Sequence, residues 1–229
     1  MYFDSTYILV LIGAAICMLA SSRVNSTFNR YSQVRNHSGM TGRDAAVRIL
    51  QMNGLNDVMV QHVSGNLTDH YDPRTKTVNL SDATYGSPSV AAVGVAAHEC
   101  GHALQHARGY VPLSIRGALV PVANLGSMAA WPLIIIGLFI HSSSAAFLIN
   151  LGILCFSASV LFQLVTLPVE FNASSRAIHI LGESGMLYEE EVDGTKAVLK
   201  AAALTYVASA AASIMQLLRL IMIGGRRND

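Results

Sequence analysis

Three long apolar runs limit what this chain can fold into: residues 118–140 (ALVPVANLGSMAAWPLIIIGLFI), 145–168 (AAFLINLGILCFSASVLFQLVTLP) and 201–223 (AAALTYVASAAASIMQLLRLIMI). A helix needs about 20 apolar residues to cross a bilayer, and each run is long enough. Arg219 is the one ionised residue within them and lies near an end, where it can snorkel to the interface. A fourth run, residues 7–20, reaches spanning length if Tyr2 and Phe3 enter the interface. Asp4 precedes it and no Lys or Arg does, unlike a secretory signal, so it reads as a retained anchor.

Composition agrees with that reading: 52% of residues are hydrophobic and 13% charged, where soluble domains carry about 25% charged residues. The net charge of +1 gives no footprint for nucleic acid. Cys17, Cys100 and Cys155 form no CxxC pair, which leaves no disulfide framework or thiolate zinc site and makes them small hydrophobes. Orientation follows from the basic residues. Residues 21–117 carry nine Lys or Arg, residues 169–200 carry Arg176, Lys196 and Lys200, and the HSSS turn at 141–144 carries none. Cytoplasmic loops are the basic ones, so both long polar segments are expected in the cytoplasm. Arg226 and Arg227 oppose this on the predicted outer side, so either the rule is outvoted there or the fourth run is not a full span.

The expected fold is mainly α: a multi-span membrane protein with a small α+β cytoplasmic zincin-like unit. Its parts are an N-terminal membrane anchor (1–20), the cytoplasmic unit (21–117), a transmembrane hairpin (118–168), a cytoplasmic helical segment (169–200) and a fourth transmembrane helix with its tail (201–229). Residues 21–40 read as an irregular linker or interfacial arm. A helix starts at Thr41 or Asp44 and stops at Asn53-Gly54. A strand is expected over 58–63, a turn at 64–66, and a hairpin of 67–71 and 77–80 around DPRTK. A second helix covers residues 89–108. The triplets at Asn25, Asn66, Asn79 and Asn172 are chance glycosylation matches on a cytoplasmic reading. Glu183 and Glu189-Glu190-Glu191 look like a solvated helix face.

That second helix carries His98-Glu99-Cys100-Gly101-His102. Side chains four apart share a helix face, so two imidazoles can reach one Zn²⁺, and Glu99, about 100° around the helix, can act on the water beside it as general base. The surrounding Val95, Ala96, Ala97, Ala103 and Leu104 suit burial, where unpaired His or Glu side chains are costly. A catalytic zinc wants a third protein ligand and an open position. His106 continues the histidine row but is badly placed to close a tetrahedron, and reads as a supporting or helix-end residue. Residue 105 is Gln and residue 108 Arg, so the longer three-histidine motif is absent. A hairpin of the second and third spans returns the chain beside the histidine helix at LPVEFNASSRA, where Glu170 is the first acid. From topology alone Glu170 is either the third ligand or an ordinary interfacial acid.

LTDHYDPRTKTVNLS, SPSVAAVGVAAHECGHALQHARGYVPLSIR and LPVEFNASSRA together resemble the YugP-like family of membrane-embedded neutral zinc metallopeptidases, over nearly the whole chain. The resemblance implies a gluzincin-type site: one Zn²⁺ per chain on His98, His102 and Glu170, with Glu99 catalytic. More distant, larger membrane gluzincins place an acid four residues after the ligand glutamate; here that position is Ser174. The implied activity is endopeptidase cleavage of membrane or membrane-proximal proteins, with a protein or peptide substrate and the lipid bilayer as partners, in a multi-pass cell-membrane protein whose active site faces the cytoplasm. His70, Tyr71, His106, Asn172, Arg176 and His179 are candidates for oxyanion donation or for support of the zinc ligands. Two other classes compete. A site-2-type intramembrane protease would want an aspartate inside a later span, and spans two to four hold none. The other is a non-proteolytic zinc-binding membrane scaffold; a non-enzymatic scaffold would not need His98, Glu99, His102 and Glu170 to converge.

Overall fold

The computed structural model describes residues 5–140 and 144–225. It is mainly helical, with six helices and one small sheet among these residues: α1 (Tyr7–Ser32), α2 (Gly42–Met52), β1 (Met59–His62), β2 (His70–Asp72), β3 (Thr77–Leu80), α3 (Val90–Ala107), α4 (Val111–Phe139), α5 (Ala145–Glu183) and α6 (Glu189–Gly225). Four of them, α1, α4, α5 and α6, are long and apolar enough to cross a membrane. Tyr2, Phe3, most of the expected HSSS turn, and Arg226 and Arg227 lie outside the described residues.

The structural helices outrun the apolar stretches that announce them. Residues 21–32 continue α1, in place of the expected irregular linker. They contain neither Gly nor Pro, so nothing in SSRVNSTFNRYS stops a helix already begun. Likewise α5 passes Pro168 and ends at Glu183, and α6 begins at Glu189, ahead of the apolar run at 201. Proline removes one backbone donor, a loss that spanning helices commonly absorb.

By internal contacts the chain forms two compact units. One comprises Met1–Ser21, Ser114–Pro168 and Thr205–Asp229. Within it α4 and α5 pack closely as a pair. A Cβ on Gly126 would meet the Cys155 carbonyl oxygen at 2.5 Å, and one on Gly152 would meet the Ala130 carbonyl oxygen at 2.9 Å. Small residues let backbones approach where lipid supplies no hydrophobic drive between helices. The contacts run in opposite chain directions, from Gly126 with Cys155 to Gly137 with Ile149, as a hairpin requires.

The other unit comprises Ser22–Leu113 and Val169–Leu204. Its core joins Ala45, Ala46, Ile49 and Leu50 of α2, Val78 and Leu80 of β3, Val93, Ala96, Ala97, Cys100 and Ala103 of α3, and Ala177 and Leu181 of α5. The α2 start is a capping box: Thr41 Oγ1 accepts from the Asp44 N–H at 3.1 Å, and Asp44 Oδ2 accepts from the Thr41 N–H at 3.2 Å. The hydrogen bond from Thr41's hydroxyl holds the Asp44 carboxyl below its ordinary range. Ser89 caps α3 by accepting from the Ala92 N–H at 3.1 Å. The expected strands are present, with β2 and β3 antiparallel, but β3 lies between β1 and β2 and runs parallel to β1. All four β3 residues are buried, which fits its central place.

Glu191 departs from the solvated face expected for the acidic run. Its carboxylate accepts from the Tyr188 N–H at 2.8 Å and the His37 N–H at 2.7 Å. It therefore caps α6 while fastening the chain just after α1, and the His37 ring stacks on Tyr188 with centroids 3.3 Å apart.

Candidate metal centre

The α3 helix carries His98 and His102 one turn apart on one face. Their rings meet edge to face with centroids 4.8 Å apart. Glu170 comes from α5, two residues beyond the apolar stretch that ends at Pro168. Gly101 permits the approach: a Cβ there would stand 2.6 Å from the Ala173 carbonyl oxygen, so any larger residue would push α3 and α5 apart. Glu170 Oε2 lies 3.2 Å from His98 Nε2 and 3.5 Å from His102 Nε2. Ligand atoms of the three residues all lie within 4.8 Å of one another. Glu170 is 3% exposed and His102 9%.

Burial lowers the proton affinity of His102, but Glu170 and the charge of Glu99 reverse that, and its pKa lies above the ordinary histidine value. Burial also opposes the charge on Glu170, yet hydrogen bonds from His102 and His98 hold its carboxyl well below the usual range. Such mutual stabilisation describes a buried negative group facing two imidazoles, an environment that suits a cation. Cys100, in the same turn, is fully buried, and burial pushes its thiol up, so it packs as a neutral hydrophobe.

The far nitrogens of both imidazoles also have partners. His98 Nδ1 lies 3.1 Å from Ser174 Oγ. His102 Nδ1 lies 3.0 Å from Gln105 Oε1. Gln105 is fully buried; its Nε2 donates to the Val169 carbonyl at 2.7 Å and to Asn172 Oδ1 at 3.0 Å. Asn172 Oδ1 also accepts from Arg176 Nε at 2.7 Å, and the Arg176 guanidinium lies 6.0 Å from the Tyr110 ring centroid. In the sequence Gln105 stands out only as a departure from the three-histidine motif. A polar side chain three residues after His102, on the same helix face as both histidines, is the signal the sequence carries.

The other sequence candidates pair elsewhere. His106 is exposed near the end of α3, with Nδ1 2.9 Å from the Tyr71 hydroxyl. His70 is exposed on β2, with Nδ1 2.8 Å from the Thr68 carbonyl and Nε2 3.2 Å from Asn79 Nδ2. His179 forms an exposed pair with Glu183 at 3.2 Å, one helical turn along α5.

A family model described as "Putative neutral zinc metallopeptidase" matches residues 6–225. The chain belongs to that family. It is also 48% identical over 215 residues, covering 94% of each chain, to the "Putative membrane protease YugP" of Bacillus subtilis (strain 168). No solved structure gives a significant match. Membership in this family implies zinc, and the donor set fits it. Two imidazole nitrogens and a carboxylate oxygen are its usual ligands, and a tetrahedron of ligands about 2.0–2.1 Å from the ion has edges of about 3.3–3.4 Å. The 3.2 and 3.5 Å separations at Glu170 match those edges closely.

Proposed function

We propose that this protein is a membrane-bound zinc endopeptidase that cleaves membrane or membrane-proximal proteins, with His98, His102 and Glu170 holding a single Zn²⁺ and Glu99 acting as general base. The observation that carries the reading is the convergence of His98 Nε2, His102 Nε2 and a carboxylate oxygen of Glu170 from two helices in a largely buried setting. Three protein ligands leave the fourth position open for water or substrate, as a catalytic site requires.

Zinc, when bound, lowers the pKa of water and polarises a peptide carbonyl. The protein's own residues then have separate tasks. His98, His102 and Glu170 supply the ligand atoms. Glu99 takes a proton from the attacking water on its carboxylate and passes it to the amine nitrogen as the C–N bond breaks. Of the sheet, β2 is an edge strand whose outer backbone groups can pair with an extended peptide. Helix α3 beside that sheet supports a zincin-like reading of the unit. Zinc removal is the direct test: chelation is expected to abolish hydrolysis of casein or of the protein itself, and stoichiometric zinc to restore it. Hydrolysis that survives complete removal of metal would refute the proposal.

We further propose that the catalytic unit faces the cytoplasm, because nine basic residues in 21–117 and three in 169–200 outweigh Arg226 and Arg227. In sealed inside-out vesicles, protease added outside is expected to reach residues 60–90. In right-side-out vesicles it is expected to leave them intact, and the reverse pattern would overturn the orientation.

A further inference from the structure

We infer that Gln105 is a positioning residue that fixes which nitrogen of His102 faces the metal, with Asn172 and Arg176 fixing Gln105 in turn. The inference rests on the zinc site proposed above, and concerns how that site is kept in register.

A side-chain amide normally has two orientations that look alike, because its oxygen and nitrogen are similar in shape. Here the surroundings permit one. The Val169 carbonyl can only accept, so the Gln105 atom 2.7 Å away must be the donating NH₂. That turns Gln105 Oε1, which can only accept, toward His102 Nδ1 at 3.0 Å. His102 Nδ1 must therefore carry a hydrogen and donate it to Gln105, so Nε2, which faces Glu170, is the nitrogen left for a metal. The other Gln105 contact is decided in the same way. Arg176 has only donors, so the Asn172 atom 2.7 Å from its Nε is Oδ1, and the same oxygen accepts from Gln105 Nε2 at 3.0 Å. Arg176 and Gln105 thus both donate to Asn172 Oδ1, and His102 Nδ1 donates to Gln105 Oε1, so each hydrogen bond in the chain has one direction.

His98 is held differently. Its Nδ1 faces Ser174 Oγ, and a hydroxyl donates or accepts according to its rotation. Ser174 accommodates either His98 tautomer, whereas Gln105 dictates that of His102. The α3 helix therefore carries one imidazole whose far nitrogen must donate and one whose far nitrogen faces a group that can donate or accept.

The test uses the full-length protein in detergent, labelled with ¹⁵N-histidine and loaded with ¹¹³Cd in place of zinc. His102 is expected to couple to cadmium through Nε2 and to keep a slowly exchanging hydrogen on Nδ1, with that hydrogen present in the metal-free protein as well. Cadmium coupling through Nδ1, or an Nδ1 without hydrogen, would overturn the inference. A protein that takes no metal yet shows the Nδ1 hydrogen would reject the zinc site while upholding the orientation. Partners of this kind alter metal affinity by about 10–100-fold when removed. Gln105→Met, which keeps the volume and loses the hydrogen bonds, is expected to weaken zinc binding within that range. Asn172→Leu should weaken it less, and Asn172→Asp, which keeps an acceptor for both Gln105 and Arg176, should restore it. Wild-type zinc affinity in folded Gln105→Met, or equal losses in Asn172→Leu and Asn172→Asp, would remove the positioning role.

Discussion

Glu99→Gln is expected to retain one zinc per chain and lose peptide hydrolysis. The two properties separate because Glu99 is not one of the three converging ligands: it sits between them in sequence, about 100° around α3 from His98. Gln keeps the volume and hydrogen-bonding reach of Glu, so the 8% exposed position remains filled without a cavity. What it loses is the ability to accept a proton from water and return it to the leaving amine. Positioned proton transfer contributes about 10²–10⁴-fold, and a fall in kcat of that size with unchanged zinc content is the expected result. Paired metal analysis and casein hydrolysis on the same preparation measure it. Wild-type hydrolysis by Glu99→Gln would eliminate Glu99 as general base. The wild-type comparison also addresses the scaffold alternative, because a protein that only binds zinc would show no hydrolysis for Glu99→Gln to lose.

The parts of this architecture that could be read from sequence are those set by local chemistry. Thr41 and Asp44 announce the start of α2, Ser89 the start of α3, and the 118–140 and 145–168 runs two long apolar helices. HExxH, written within one helix, needs only the 3.6-residue turn to bring its histidines together. Glu170 required a topological step, from the hairpin to the segment that returns beside α3, and the resemblance then gave it a role. The structure adds the close contact of Gly101 with Ala173 that draws α5 against the motif. Features decided by tertiary packing were not legible. The polar residues 21–32 carry no helix-breaking signal and no apolar period, so their helical state depends on continuation from α1. The insertion of β3 between β1 and β2 depends on which strand is buried on both faces. Gln105 could not be given a function until Val169 and Asn172, more than sixty residues away, were seen to fix its amide.

Glu170→Ala is expected to lose zinc, in contrast to Glu99→Gln. Removing a residue that merely supports a ligand costs about 10–100-fold in metal affinity, so removing one of three ligands should cost more than about 100-fold, leaving the purified variant essentially metal-free. The loss is not confined to coordination. Glu170 Oε2 is the shared partner of His98 Nε2 and His102 Nε2, and its truncation leaves two largely buried imidazoles facing a vacated carboxylate site. Breaking a buried charged pair by removing one partner destabilises by about 3–5 kcal/mol, which could unfold the variant and mimic zinc loss. Glu170→Gln separates the two effects: it keeps the side-chain volume and one hydrogen-bonding oxygen but no negative charge. It should fold with a thermal midpoint near wild type while binding zinc far more weakly. Full zinc occupancy in folded Glu170→Ala would exclude Glu170 as the third ligand. A zinc-free, folded Glu170→Gln beside a zinc-replete, inactive Glu99→Gln would assign metal binding and proton transfer to different residues.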